Sequence, residues 1–159
     1  MKIKAIIGIG NPGLEYKDTY HNAGVLFVEH IQKTENFASN FKFFKSDVFM
    51  NESGKFVLEK VKNSNLNIED VAIAHDDSDI EIGQYKIDFD RGSAGHNGII
   101  NIISNLKSQK FSRIRIGIRT NSKVRKKAQE FVLNKISKQN KELLIKVFEK
   151  IEIDLNDFV

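Results

Sequence analysis

A histidine and a distant carboxylate are the side chains of this sequence best suited to moving a proton. His21 stands at the predicted start of a helix, and Asp76 follows the apolar run Val71–Ala74. A neutral imidazole takes a proton from water near neutral pH, and a carboxylate on its other nitrogen fixes the tautomer and stabilises the imidazolium that forms. We therefore predict that His21 is a general base and that Asp76 supports it.

The sequence offers no credible covalent nucleophile for such a base to activate. It contains no cysteine and no G-x-S-x-G motif, since the stretch Arg91-Gly92-Ser93-Ala94-Gly95 has its first glycine misplaced. Water is the simpler nucleophile. The lack of cysteine also excludes disulfides and cysteine-ligated metal sites, and it fits a reducing compartment such as the cytoplasm.

Three asparagines stand where predicted strands end or helices begin. Asn11 follows the first predicted strand, whereas Asn51 and Asn97 lie at predicted helix starts. Each alone is an ordinary turn or cap residue. Ligands of open α/β sheets bind beyond the carboxyl ends of the strands, near helix N-termini, so the joint placement with Asp76 favours one site. An Asn amide carries both a donor and an acceptor, which suits an amide-containing substrate and a water molecule.

Two other interpretations compete with this one. The stretch Gly8–Gly13 reads G-x-G-x-x-G directly after a strand, which is the pattern of dinucleotide binding. Against it, Pro12 removes a backbone donor, the helix begins only near His21, and Glu29 lies inside that helix instead of ending a second strand. The second alternative is a metal site at residues 75–79, although carboxylates after a strand serve more often to form turns or to orient other side chains.

The elements that must position these residues alternate between strands and helices. Apolar and alternating patterns predict strands at residues 3–9, within 37–49, at 71–74, at 85–89 and around 114–118. Apolar side chains spaced three and four apart predict helices at residues 21–33, from 51, from 96–97 and over 138–151. This alternation predicts an α/β sandwich around a mostly parallel or mixed sheet.

Length and composition predict one domain over residues 1–159. The chain has 159 residues, 40% of them apolar, which suffices for one core. It lacks a run of about 18 apolar residues, and its first ten residues end in glycines, so we expect neither a membrane span nor a signal peptide. The formal charge of +4 tolerates a polyanionic partner without requiring one.

Five motifs in this order resemble the bacterial peptidyl-tRNA hydrolase family. They share short polar residues beside glycines or histidines: Gly10-Asn11-Pro12-Gly13-Leu14-Glu15-Tyr16, Thr19-Tyr20-His21-Asn22-Ala23-Gly24, Phe49-Met50-Asn51-Glu52-Ser53-Gly54, His75-Asp76-Asp77-Ser78-Asp79 and Gly95-His96-Asn97-Gly98. The stretch from Phe111 to Ile118 is also similar to that family. The resemblance covers the chain from the first strand to about Leu133.

The resemblance implies a three-layer α/β/α monomer with a mixed, mostly parallel sheet and no metal or cofactor. It implies hydrolysis of the ester between a peptide and the 3′-terminal ribose of tRNA. By position, His21 would be the proton acceptor, Asp76 would stabilise its basic form, and Asn11 would distinguish N-blocked from free aminoacyl-tRNA. The residues that match contacts to the 3′ end of the substrate are Tyr16, Phe49, Asn51 and Asn97, where aromatic faces stack and amides hydrogen-bond.

The sequence departs from the family pattern at several places. Tyr20 replaces the usual Arg before the histidine, and both the region 37–48 and the C-terminus are shorter than usual. Arg115 matches a phosphate-contacting Arg of the family and would act with Lys86, but Asp88 puts a negative charge where a second basic residue is usual. Lost phosphate contacts weaken tRNA binding.

These truncations favour one alternative function, a module that binds the tRNA 3′ end and has lost activity. The intact His21 and Asp76 favour the enzyme.

Overall fold

The computed structural model describes residues 2–34, 37, 39–120 and 128–159, and it contains one sheet between two layers of helices. The strands are β1 (Ala5–Gly8), β2 (Lys42–Lys45), β3 (Val71–Glu81), β4 (Tyr85–Phe89) and β5 (Ser112–Arg119). The α-helices are α1 (Ala23–Ile31), α2 (Ser53–Asn63), α3 (Asn97–Leu106), α4 (Ala128–Phe131) and α5 (Lys138–Leu155). Short 3₁₀ turns at Tyr20–Asn22 and Met50–Glu52 lead into α1 and α2.

The five strands are ordered β2-β1-β3-β5-β4. Strands β2, β1, β3 and β5 run parallel, and β4 is antiparallel to β5. The α/β sandwich with a mixed, mostly parallel sheet is therefore confirmed.

Two apolar cores hold the helices to opposite faces of the sheet. On one face, Phe27 of α1 and Phe148 of α5 pack with Ile114 of β5. On the other, Val57 of α2 and Ile102 of α3 pack with residues of β1 and β3. Full burial of such a side chain is worth about 1.5–3 kcal/mol, so the sheet and both helix layers stabilise one another.

Strand β3 is longer than the sequence predicted. The apolar run was expected to end before His75, but the strand continues to Glu81. Its neighbour β1 stops pairing at Ala74, whereas β5 pairs as far as Asp77 and again at Glu81. Asp76 thus lies inside a strand, at the point where the sheet has lost the neighbour on one side, and this leaves room for other side chains.

In the sequence, Ile114, Ile116 and Ile118 alternate with arginines at 113, 115 and 119, which predicts a strand with one buried face. This prediction is wrong, because β5 is buried on both faces. It lies between β3 and β4, and all its residues from Ser112 to Ile118 are buried. Arg113 is 0% exposed and Arg115 is 3% exposed, while Arg119 at the end of the strand is exposed. The period of two predicts which residues share a face, but it does not say whether helices or loops cover that face.

Candidate active site

Two close backbone contacts bring the site residues together. A Cβ atom on Gly24, near the start of α1, would lie 2.0 Å from the carbonyl oxygen of Ala74, so only glycine lets the α1 start approach β3 this closely. A Cβ atom on Gly54 would lie 2.3 Å from the carbonyl oxygen of Asn101, which likewise presses α2 against α3. The first contact places His21 beside Asp76, and the second places the turn bearing Asn51 near the start of α3.

His21 and His96 share one oxygen of Asp76. His21 Nδ1 lies 2.9 Å from Asp76 Oδ1, and His96 Nε2 lies 2.9 Å from the same atom. Asp76 is 2% exposed. A buried carboxylate accepting two hydrogen bonds is stabilised in its charged form.

The hydrogen bonds assign the protons on both rings. An ionised Asp76 only accepts, so His21 Nδ1 and His96 Nε2 each carry a hydrogen. His96 Nδ1 accepts from the backbone N–H of Ile99 at 3.3 Å, which makes this side chain the N-cap of α3. His21 Nε2 is left with its lone pair and without a hydrogen-bond partner in the described part of the chain, and His21 lines the cleft.

The charges of this cluster shift the pKa values of its members. Burial alone would lower the pKa of His21, but the charge of Asp76 and the hydrogen bond to it outweigh burial and raise the pKa. Burial alone would raise the pKa of Asp76, but His96 and His21 hold the pKa of this carboxyl well below its usual range. His21 is therefore a stronger base than a free imidazole, and Asp76 stays charged at neutral pH.

His75 lies next to Asp76 in sequence but has a different environment. Its ring is fully buried, its Nδ1–H donates to the backbone oxygen of Asp76 at 2.7 Å, and it stands edge-on to His96 with ring centroids 4.8 Å apart. Burial, then the neighbouring His96 and Arg113, lower the pKa of His75 well below 6.5. The His75 ring is therefore neutral near pH 7, and its bond to the backbone oxygen of Asp76 helps to hold that residue in place.

Asn11 is held in one orientation by its neighbours. Its side-chain oxygen accepts from the backbone N–H of Met50 at 2.8 Å, and its backbone pairs in both directions with the amide of Asn22. Because the oxygen is occupied, the NH₂ group of Asn11 is the part of the amide left to bond a ligand.

Two cavities flank His21. The first, about 690 Å³, is lined by Asp76, residues 93–97 and the side chains of Gln129, Val132 and Leu133. The second, about 600 Å³, is lined by Phe49, Met50, Asn51 and Glu52. Asn11, His21 and Asn97 line both. The base and two of the three amides thus stand where the cavities meet.

Phe49 lines the second cavity and forms an aromatic pair with Tyr16. Phe49 is 49% exposed, and the ring of Tyr16 meets it edge-on with centroids 6.2 Å apart. The exposed ring of Phe49 beside Asn51 suits a nucleobase, which stacks on rings and hydrogen-bonds with amides.

Neither Lys86 nor Arg115 lines either cavity, although Asp77, which Arg115 binds, lines the first. Arg115 Nε donates to Asp77 Oδ2 at 2.8 Å, and its NH1 donates to Asp88 Oδ2 at 2.7 Å. Lys86 pairs with Arg115 across β4 and β5 and is exposed. The unusual Asp88 is therefore the partner of Arg115, and a phosphate would have to displace it to reach the guanidinium.

Sequence reasoning missed two parts of the site. The sequence indicates His96 only as part of the motif Gly95-His96-Asn97-Gly98, although a histidine at a predicted helix start is a signal for a role in the site. The segment 128–136, which forms one side of the first cavity, gave no motif.

The ligand atoms of His21, Asp76 and His96 lie within 4.8 Å of one another, close enough to hold a metal ion. Both rings already donate to Asp76, however, so an ion there would have to replace both hydrogen bonds. Across the part of the chain that the structure describes, no helix has the length and apolarity needed to cross a bilayer.

Known proteins resemble this chain in sequence and in structure. The family model described as Peptidyl-tRNA hydrolase matches residues 5–159. The peptidyl-tRNA hydrolase of Mycoplasma mycoides subsp. mycoides SC is 37% identical over 98% of this chain and 92% of its own length. That of Sulfurihydrogenibium sp. is 33% identical over 91% of this chain and 85% of its own.

The crystal structure of peptidyl-tRNA hydrolase from Acinetobacter baumannii superposes with a TM-score of 0.84 and 29% identity, covering 97% of this chain and 87% of that one. A family model that matches nearly the whole chain, together with relatives above 30% identity, establishes the family of this protein. The chain belongs to the peptidyl-tRNA hydrolase family.

Proposed function

We propose that this protein hydrolyses the ester bond between a peptide and the 3′-terminal ribose of peptidyl-tRNA, releasing free tRNA, with His21 activating the attacking water. The observation that carries this proposal is the 2.9 Å bond between His21 Nδ1 and Asp76 Oδ1, which leaves Nε2 as an acceptor in a cleft lined by amides. Family membership supplies the substrate class.

The reaction begins with a water held between His21 and the ester. His21 Nε2 takes one proton as the water oxygen attacks the carbonyl carbon, and a tetrahedral intermediate forms. Its collapse breaks the bond to the ribose 3′ oxygen, which receives the proton back from His21. The products are a peptide carboxylic acid and a free ribose hydroxyl, so atoms and protons balance.

Asp76 stabilises the protonated His21 that exists between these two proton transfers. Its carboxylate holds Nδ1–H in place, which keeps the correct tautomer before the reaction and offsets the positive charge during it. His96 helps by donating to the same oxygen, which keeps Asp76 ionised.

Asn11 selects N-blocked substrates. Its fixed amide presents an NH₂ group, which bonds the acyl carbonyl oxygen that a blocked amino group carries. A free aminoacyl-tRNA offers an ammonium group, which is itself a donor and repels that NH₂. Tyr16, Phe49, Asn51 and Asn97 would contact the 3′ end, by stacking and by amide hydrogen bonds.

The remaining parts of the proposal rest on the resemblance. We propose a cytoplasmic monomer that binds no metal or cofactor, as one domain over residues 1–159 with a shortened 37–48 region and C-terminus. Lys86 and Arg115 stay candidates for tRNA phosphate contacts.

The test compares N-acetylaminoacyl-tRNA with unblocked aminoacyl-tRNA for the wild type, His21→Ala and His30→Ala. We expect hydrolysis of the blocked substrate only, and a fall of about 10²–10⁴-fold in His21→Ala, the usual contribution of a general base. His30 lies on α1 against Phe148 and outside the cleft, so His30→Ala controls for loss of a helical histidine. Binding without turnover by the wild type would instead indicate a tRNA-end binding module.

A further inference from the structure

The segment 128–136, which we call the cleft wall, is fastened to the strip of chain that carries His21. The backbone N–H of His21 donates to Val132 O at 2.8 Å, and that of Tyr20 donates to Asn134 O at 3.2 Å. The backbone N–H of Ile136 donates to Asp18 O at 2.8 Å. These bonds tie the wall to residues 18–21, and Thr19 and Lys135 form an antiparallel bridge between the two segments.

Tyr20 adds the largest side-chain contact between the two strips. Its ring stacks on Phe131 with centroids 4.5 Å apart and an interplanar angle of 25°. Its hydroxyl accepts from Asn140 Nδ2 at 2.8 Å, near the start of α5. Tyr20 is 4% exposed. Tyr20 thus contacts both α4, which forms the first part of the wall, and α5, the helix that follows the wall.

The wall in turn shapes the larger cavity. Its side chains Gln129, Val132 and Leu133 line that cavity, and residues 93–97 line it as well. The distance between these two sides depends on where the wall is held. The base itself has independent support, because Asp76 holds the His21 ring.

We propose that Tyr20 is a positioning residue that fixes the cleft wall beside His21, and so sets how tightly substrate is bound in the larger cavity without taking part in proton transfer. The position immediately before His21 is well suited to this task, since the side chain of Tyr20 reaches the wall while His21 turns to the cleft. The binding part of this proposal rests on the proposed hydrolase function; the positioning part does not.

Amide hydrogen exchange tests the positioning part without any substrate. In Tyr20→Leu, we expect exchange at His21 and Ile136 to be about three- to tenfold faster, the factor corresponding to one aromatic pair. Exchange at Ile9, whose N–H bonds to Ala74 O in the sheet, should stay at the wild-type rate. Tyr20→Phe keeps the stacked ring and loses only the bond from Asn140, so it should restore most of the protection.

Kinetics on N-acetylaminoacyl-tRNA test the binding part. Tyr20→Leu should raise KM about three- to tenfold while kcat stays within about twofold, because the interaction lost is made equally before and during reaction. Tyr85→Phe is the control variant, because Tyr85 also bonds to α5, through Asp154, but among the described residues its ring has no stacking partner in the cleft wall.

Unchanged exchange at His21 and Ile136 in Tyr20→Leu would overturn the positioning role. Faster exchange throughout the sheet would overturn it too, by showing a general loss of stability. A fall in kcat at unchanged KM would overturn the binding role. If the wild type does not hydrolyse the substrate, the proposed function fails, and the exchange rates alone decide whether Tyr20 positions the wall.

Discussion

His21 and His96 donate to the same oxygen atom, Asp76 Oδ1, each at 2.9 Å. One carboxylate therefore serves both the base and the cap of helix α3. The shared oxygen couples the orientation of His21 to the start of α3, where Asn97 enters the cleft. A change at Asp76 is expected to alter proton transfer and the geometry of that helix start together.

The Asp76→Asn variant should be severely impaired, by about 10³–10⁴-fold in kcat, because a neutral amide no longer stabilises protonated His21. The pKa of His21 is raised by Asp76, so without that charge the pKa should fall. The base acts when unprotonated, and the acidic limb of the pH–rate profile should therefore move to lower pH. An acidic limb at the wild-type position would contradict the pairing.

His75 predicts an acid-sensitive fold. Its folded pKa is far below 6.5, so the unfolded chain binds a proton on this ring first as pH falls. The stability that it contributes is complete above pH 6.5 and is lost as pH falls below that value, by up to about 1.4 kcal/mol per pH unit. Denaturant unfolding between pH 7.5 and 5 measures this slope.

His21 changes the stability of the fold with pH in the opposite direction. Because the folded pKa of His21 is raised, its contribution is complete below pH 6.5 and is lost as pH rises through the folded value. The loss of stability between pH 6.5 and pH 5 is therefore assigned to His75. An NMR titration should find the His75 ring neutral over that interval. A ring of His75 that titrates near pH 6.5 would refute the prediction.

Chelation should leave activity intact. The two rings that could hold an ion already bond to Asp76, and the proposed proton transfers need no metal. After exhaustive treatment with a chelator and dialysis, hydrolysis of N-acetylaminoacyl-tRNA should proceed at the untreated rate. Because divalent ions also help tRNA to fold, the control repeats the assay with a short 3′-end substrate. A loss on both substrates that a divalent ion restores would show that a metal is required.

The sequence predicted the parts of the site that depend on local pattern. Asn11 and Asp76 follow apolar runs, and Asn97 begins a helix, so their place at one rim was deducible from strand and helix boundaries. The second partner of Asp76 was not, because it depends on how α3 docks beside β3. The burial of Arg113 and Arg115 was also not predicted, because tertiary packing and not the local sequence pattern decides whether the second face of β5 is covered.

Arg115 should prove important for folding. It is 3% exposed and binds Asp77 and Asp88, which are 7% and 30% exposed, so Arg115→Ala leaves two carboxylates without their cation. Removing one partner of a buried ion pair costs about 3–5 kcal/mol, whereas a surface substitution such as Arg119→Ala changes stability by about 0.5 kcal/mol or less. Denaturant unfolding of the two variants measures the difference.

The same variant decides whether Arg115 contacts tRNA phosphate. If its role is to hold β3, β4 and β5 together, Arg115→Ala should lower activity on whole peptidyl-tRNA and on a short 3′-end substrate by the same factor, and the salt dependence of binding should not change. A phosphate contact would instead weaken whole-tRNA binding selectively and reduce the salt slope by about one unit, because one fewer counterion is released. We expect the first result, because the guanidinium already has two carboxylate partners, and a phosphate would have to displace Asp88 before it could bind.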